Sequence, residues 1–135
     1  MDADCAIILP TYNARNTIVT LITTILRGTK TSLIIIVDDS SPDGTGNAIQ
    51  KHFSKNKRVL LLVRKEKAGR GSAVMRGFQE GLKFLSVKYF IEMDADLCHD
   101  PAVIPALIAA TAHADVVIAS RYLRKSRTIN WKWNR

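Results

Sequence analysis

The sequence predicts a three-layer α/β/α fold built on a mainly parallel sheet, and three observations carry that expectation. Short apolar runs recur along the chain, amphipathic stretches separate them, and polar clusters stand where the runs end. Runs with few polar interruptions suit strands covered on both faces, and their alternation with helical patterns is the mark of parallel strands joined by crossover helices. A chain of 135 residues buries roughly two-thirds of its unfolded surface on folding, so its core requires neither metal nor disulfide staples. No repeat, low-complexity tract or linker interrupts it, and residues 1–135 are expected to form a single domain.

The elements follow from period and punctuation. Ala6 to Leu9 reads as the first strand, and Ile18, Leu21, Ile22, Ile25 and Leu26 then trace a helical stripe with Gly28 placed as its C′ glycine. Leu33 to Val37 is the second strand, a helix runs from Gly44 or Thr45 to Phe53, and Val59 to Val63 is the third strand. Val74, Phe78, Leu82 and Leu85 mark the next helix, and Tyr89 to Met93 the fourth strand. A last helix is expected over Pro101 to Ala112, with Asp100 as N-cap before a proline and Pro105 blurring the start. Val116 to Ala119 would complete the order βαβαβαβαβ, with right-handed crossovers and ligands beyond the carboxyl ends of the strands.

Charge is unevenly placed. The 20 Lys and Arg against 12 Asp and Glu leave a net +8, yet Asp38, Asp39 and Asp43 form one acidic window and Glu92, Asp94, Asp96 and Asp100 another. Basic residues concentrate between Lys51 and Arg76 and from Arg121 to Arg135, which points to an anionic partner: nucleic acid, anionic lipid or a phosphorylated substrate. A nucleic-acid-binding domain would give the acidic windows no role. The apolar runs are too short for a transmembrane helix, and Asp2 and Asp4 stand where a secretory signal needs positive charge, so a cytoplasmic start is expected. Cys5 and Cys98 fit no metal framework and are expected to be free thiols.

The chemistry gathers at the strand ends. Pro10-Thr11-Tyr12-Asn13 follows the first strand, Asp38 through Thr45 the second, and Asp94 through Pro101 the fourth. Turn and capping roles account for Asp43 and Gly44, but adjacent carboxylates at Asp38 and Asp39 need a cation or a set of donors to offset their repulsion. Asp94 and Asp96 flank small Ala95 and project to one side of a strand end, where they can converge on a cation. Oxygen ligands favour Mg²⁺ or Mn²⁺, whose shell is completed by water and phosphate oxygens; a solvated acidic loop is the alternative, since a lone D-x-D is common by chance. Lys67 to Ala73 could bring backbone to a phosphate at a helix N-terminus or be a plain turn, and it is neither a Walker loop nor a dinucleotide fingerprint. Trp131 and Trp133 in the basic tail read either as a frayed terminus or as an interfacial segment.

Together LPTYNARNTI, VDDSSPDGT, KAGRGSA, MDADLCHDP and SRY followed by INWKWNR resemble, in order and spacing from Cys5 to Arg135, the family 2 glycosyltransferases of GT-A fold, and most closely the dolichol-phosphate or polyprenol-phosphate mannose synthases. The resemblance implies inverting transfer of mannose from GDP-mannose to dolichyl or polyprenyl phosphate, a product used in glycosylation and GPI-anchor pathways. It implies that Pro10, Tyr12, Val37 and Asp39 hold the nucleotide, that Asp94, Ala95 and Asp96 form the site for Mg²⁺ or Mn²⁺ and diphosphate, and that Arg121, with Arg135, binds substrate phosphate. Asp94, Asp96 and Arg121 are the expected catalytic residues, and His99 is read as loop structure. It further implies peripheral contact with the cytoplasmic face of a membrane, the endoplasmic reticulum in a eukaryote, with small anchoring subunits as candidate partners and no nucleic acid.

Three departures stand out. Ala14 replaces a usual Glu, Cys98 replaces a usual Ser or Gln near the metal, and family members continue beyond Arg135, so the usual C-terminal part is expected to be lacking. The alternatives carried forward are a polyprenyl-phosphate transferase using another nucleotide sugar, and a truncated domain that binds nucleotide sugar without turnover.

Overall fold

The computed structural model of the protein describes residues 3–123. Four strands, β1 (Cys5–Thr11), β2 (Ser32–Asp38), β3 (Val59–Val63) and β4 (Tyr89–Glu92), form a sheet of order β3-β2-β1-β4 in which every pairing is parallel. Three helices connect them: α1 (Arg15–Gly28), α2 (Thr45–Phe53) and α3 (Arg70–Gly81). The register sets Thr11 beside Asp38 and Asp38 beside Val63, so the carboxyl ends of these strands share one edge. The three-layer α/β/α expectation holds.

Alternation along the strands divides the core. Ala6, Ile8, Leu33, Ile35 and Val37 pack with Ala73 and Phe78 of α3 on one face, while Ile7, Leu9, Ile34 and Ile36 point the other way and are equally buried. On that second face α2 lies over Leu61 and Val63 and packs against α1, whose Ile18, Leu21, Ile22 and Ile25 are fully buried. Pro10 is tolerated in a central strand for a local reason. Ile8 turns its carbonyl toward the β4 side, where it accepts from Met93 N–H, and Pro10 faces the same side after β4 has left the ladder.

Two helix expectations are corrected. Gly28 is not a left-handed C′ residue: it is the last residue of α1, and extended Thr29 ends the helix, donating its N–H (2.9 Å) and its hydroxyl (2.7 Å) to the Ile25 carbonyl. Arg58 makes that end possible by donating to the carbonyls of Leu26, Thr29 and Lys30, a cation at the negative pole of the helix. In α3 the buried face is Ala73, Val74, Gly77 and Gly81, whereas Leu82 and Leu85 lie past the helix and are exposed. A β-carbon on Gly77 would stand 2.4 Å from Ile8 Cγ2, and one on Gly81 would stand 2.6 Å from Phe90 Cε1. The glycines let α3 approach the sheet closely, and Phe84 and Val87 fill the core where the leucines were expected.

The chain divides into two compact units after Ala102. In the second, the helix expected over Pro101 to Ala112 is α4 (Ile104–Ala110), preceded by a 3₁₀ turn at Pro101–Val103. Asp100 does accept the N–H of Ala102 (2.9 Å), and Pro105, which has no N–H to donate, sits in the first turn of α4. Val116 to Ala119 is not a strand. No ladder takes it up among the described residues, and Val116 and Ile118 are 76% and 80% exposed, so the segment lacks the covered faces and backbone partners a buried strand needs. Cys5 and Cys98 form no disulfide, as expected.

Candidate functional site

The loops after β1 and β2 are sewn together. Asn13 N–H donates to Ser41 Oγ, and Ala14 N–H to Thr45 Oγ1, each at 2.9 Å. Asp43 caps two helices at once: it accepts from Arg15 N–H at the start of α1 and from the N–H and hydroxyl of Thr45 at the start of α2. Against the effect of burial, the Thr45 hydroxyl, the two N–H donors and nearby Arg15 hold its carboxyl below the ordinary value. Left-handed Gly44 (φ 85°) makes the turn between them.

The adjacent carboxylates at the end of β2 part company. Asp38, 2% exposed, accepts from Thr11 Oγ1 (2.9 Å), Ser41 Oγ (2.6 Å) and Ser41 N–H (3.0 Å). Asp39, 6% exposed, is gripped by the fork of Arg64, Nε to Oδ1 at 2.5 Å and Nη2 to Oδ2 at 2.7 Å. Donors offset one charge and a cation the other. Arg64 also donates to Ser72 Oγ and the Gly69 carbonyl, tying the β3 end to the start of α3.

After β4, the loop Asp94 to Asp100 is anchored on two sides. Thr17 of α1 donates its hydroxyl to the Ala95 carbonyl (2.7 Å), and Arg70 of α3 donates Nε and Nη2 to Asp94 Oδ1 (3.0 and 2.8 Å) while also pairing with Glu92. These bonds raise the Arg70 pKa further, the hydrogen bond to Asp94 foremost. His99 Nδ1 accepts the N–H of Asp94 at 3.1 Å, which places its ring proton on Nε2. Burial works against ionisation of Asp96, yet the Cys98 N–H, the Cys98 side chain and nearby His99 hold its carboxyl below the usual range.

Backbone strain marks the same three loops. Asn13 (φ 58°), Ser40 (φ 50°) and Leu97 (φ 65°) are the described non-glycine residues in the left-handed region, one after each of β1, β2 and β4. Such conformations persist where surrounding bonds over-determine them, and they concentrate at ligand sites. Tyr12, 43% exposed, presents its ring at the edge with Lys67 Nζ 3.9 Å from the ring centroid.

The glycosyl transferase family 2 model matches residues 6–135. The chain belongs to glycosyl transferase family 2. Among the curated relatives of this family-2 chain are the polyprenol monophosphomannose synthase of Mycolicibacterium smegmatis, 37% identical over 96% of the chain and 49% of that protein, and the dolichol-phosphate mannosyltransferase of Pyrococcus furiosus, 41% identical over 96% of the chain and 36% of that protein. The undecaprenyl-phosphate mannosyltransferase of Micrococcus luteus is 35% identical over 95% of the chain and 52% of that protein, so the chain spans between about a third and a half of these relatives' lengths. Similar folds include the Pyrobaculum calidifontis mannosyltransferase PcManGT in complex with GDP-Man and Mn²⁺ (TM-score 0.57, 19% identity, 71% of this chain and 28% of that one). Another is the Mycobacterium tuberculosis glucosyl-3-phosphoglycerate synthase in complex with UDP (TM-score 0.63, 19% identity, 84% and 41%). Both likenesses are of fold, and they accord with the expected nucleotide-sugar transferase architecture.

The residues implied by the resemblance to family 2 fall into three groups. Pro10, Tyr12, Asp39, Asp94, Ala95 and Asp96 stand at the carboxyl edge of the sheet in the first unit. Val37 is in the core with 0% exposure, leaving its carbonyl, which accepts from the Thr11 hydroxyl at 3.4 Å, nearest the edge. Arg121, exposed, belongs to the second unit, and Arg135, like Trp131 and Trp133, lies outside the described residues. No group of three or more His, Cys, Asp or Glu among the described residues is placed to hold a metal. Two hard-oxygen carboxylates, one of them held ionised by its loop, suit a Mg²⁺ or Mn²⁺ that draws the rest of its shell from water and ligand oxygens. Sequence reasoning missed Arg64, Arg70, Thr17 and Thr45; their signal was proximity in sequence to a strand end or helix start, which spacing alone does not single out.

Proposed function

We propose that the chain carries the donor site, and part of the acceptor site, of a polyprenyl-phosphate mannosyltransferase: mannose passes from GDP-mannose to dolichyl or polyprenyl phosphate with inversion. The observation that carries this reading is the D-x-D carboxylate pair just after β4, in a chain for which the three curated relatives named above, at 35–41% identity, bear names of lipid-phosphate mannosyl transfer. Tyr12 offers a ring face to the base, and the lone pairs that the Arg64 fork leaves on Asp39 offer acceptors to ribose hydroxyls. Asp94 and Asp96 would hold Mg²⁺ or Mn²⁺, which when bound neutralises charge developing on a diphosphate leaving group.

The acceptor phosphate already carries an anionic oxygen at neutral pH, so positioning replaces deprotonation. His99 suits this account, since its Nδ1 is spent on the loop backbone. Arg121 is assigned to hold the acceptor phosphate by forked hydrogen bonds, for which Lys is a poorer substitute, with Arg135 as a second contact. A lipid acceptor puts the protein at a membrane surface, on its cytoplasmic face in this reading. No helix of the described residues is long and apolar enough to cross a membrane. In this reading the basic, tryptophan-bearing segment toward Arg135 contributes to that contact, with a partner subunit as the other candidate.

The test is transfer of labelled mannose from GDP-mannose to polyprenyl phosphate in detergent. Activity requiring Mg²⁺ or Mn²⁺ is expected, with Arg121→Ala reducing transfer by about a hundredfold or more while sparing nucleotide binding. Equal loss of both on Arg121→Ala would remove that residue from the acceptor site, and transfer with UDP-glucose but not GDP-mannose would replace the donor.

A further inference from the structure

Arg70 occupies the first position of α3 and reaches across to the end of β4. Its guanidinium gives both Nε and Nη2 to Asp94 Oδ1, at 3.0 and 2.8 Å, and pairs Nη2 with Glu92 Oε1 as well. The other oxygen of Asp94 lies 3.8 Å from His99 Nε2. The first carboxylate of the D-x-D pair therefore already has a counter-ion supplied by the chain itself. Arginine cannot shed its charge near neutral pH, so a divalent cation approaching Asp94 meets a fixed like charge within one side chain's width. The guanidinium must move aside or share. Its side chain is 56% exposed, so solvent lies open to it on the side away from the two carboxylates.

We propose that Arg70 is a resident counter-ion of the D-x-D site: it competes with the divalent cation for Asp94, so that the cation binds weakly alone and firmly together with a nucleoside diphosphate whose oxygens take over the displaced guanidinium. This rests on the reading of Asp94 and Asp96 as the cation site. The arrangement gives ordered loading. An Asp94 neutralised by Arg70 holds the loop in shape before any ligand arrives, and the diphosphate brings two anionic groups, one for the cation and one for Arg70.

The experiment measures free Mn²⁺ by electron paramagnetic resonance during titration of the whole chain, with and without GDP. In the absence of nucleotide Arg70→Gln is expected to bind Mn²⁺ roughly threefold or more tighter than the unsubstituted chain, the scale of one partly exposed charge-assisted pair. Arg76→Gln removes the same charge from the outer face of α3, where Arg76 pairs with Glu80, and is expected to change nothing. The tightening of Mn²⁺ binding by GDP should be larger in the unsubstituted chain than in Arg70→Gln. If Asp96→Ala abolishes Mn²⁺ binding but Arg70→Gln leaves it unchanged or weaker, the competition is refuted and the cation site stands. If Mn²⁺ binds Asp96→Ala as well as it binds the unsubstituted chain, the cation site itself is wrong and the role of Arg70 falls with it.

Discussion

Asp38 and Asp39 show how much of a site is decided residue by residue. Their adjacency pointed to a compensated charge, but the compensation comes from the nearby Ser41 and from Thr11 and Arg64, residues remote in sequence that the parallel register brings near. Asp39 is buried, so Arg64→Ala leaves an unpaired carboxylate and is expected to cost about 3 kcal/mol. Denaturant midpoints check this, and adding Asp39→Asn should recover part of the loss. Cys5 offers a different prediction. Burial pushes its thiol up to about 12 from a starting value of 9.0. Above pH 9 the unfolded thiol ionises while the folded one stays protonated, so the unfolded state is favoured as pH rises. The stability difference between the unsubstituted chain and Cys5→Ala should therefore shift against the thiol by about 1.4 kcal/mol per pH unit between pH 9 and about pH 11. A pH-independent difference would show that the thiol is not sealed from solvent.

At the scale of elements, apolar runs located four strands to within a few residues, and the stripe of α1 was legible because one side chain in three or four must be buried. What failed did so where period was a poor guide. The α3 stripe was drawn through Leu82 and Leu85, but the packed face is built on Gly77 and Gly81, and residues without side chains carry no hydrophobic signal. Val116 to Ala119 has the composition of a strand without a ladder among the described residues, and pairing is a property of the neighbour rather than of the segment. The close approach of α3 is testable. Gly77→Ala gains helix propensity of about 1 kcal/mol yet must displace Ile8, so a net destabilisation of about 1–3 kcal/mol is expected from thermal or chemical denaturation. A stabilised variant would mean that α3 can lift from the sheet at little cost.

On the scale of the molecule, parallel strands bring their carboxyl ends to one edge, and three loops far apart in sequence meet there through Ser41, Asp43, Thr45, Thr17 and Arg70. That convergence was legible from the positions of the polar clusters alone. The cations that organise it were not, because nothing in the sequence pairs Arg64 with Asp39 or Arg70 with Asp94. Ala14 illustrates the same limit: the resemblance led to the expectation of a Glu there, whereas the structural part that Ala14 plays is by its backbone N–H, which donates to Thr45 Oγ1 across the two loops. The central claim is that this edge is a nucleotide-sugar site that uses the D-x-D pair. The most direct measurement is calorimetric titration of GDP-mannose into the chain with and without Mn²⁺, on the unsubstituted protein and on Asp96→Ala, with UDP-glucose as competitor. Binding that requires Mn²⁺, disappears in Asp96→Ala and resists UDP-glucose is the predicted result; binding indifferent to Mn²⁺ and to the loss of Asp96, or none to the folded chain, would contradict it.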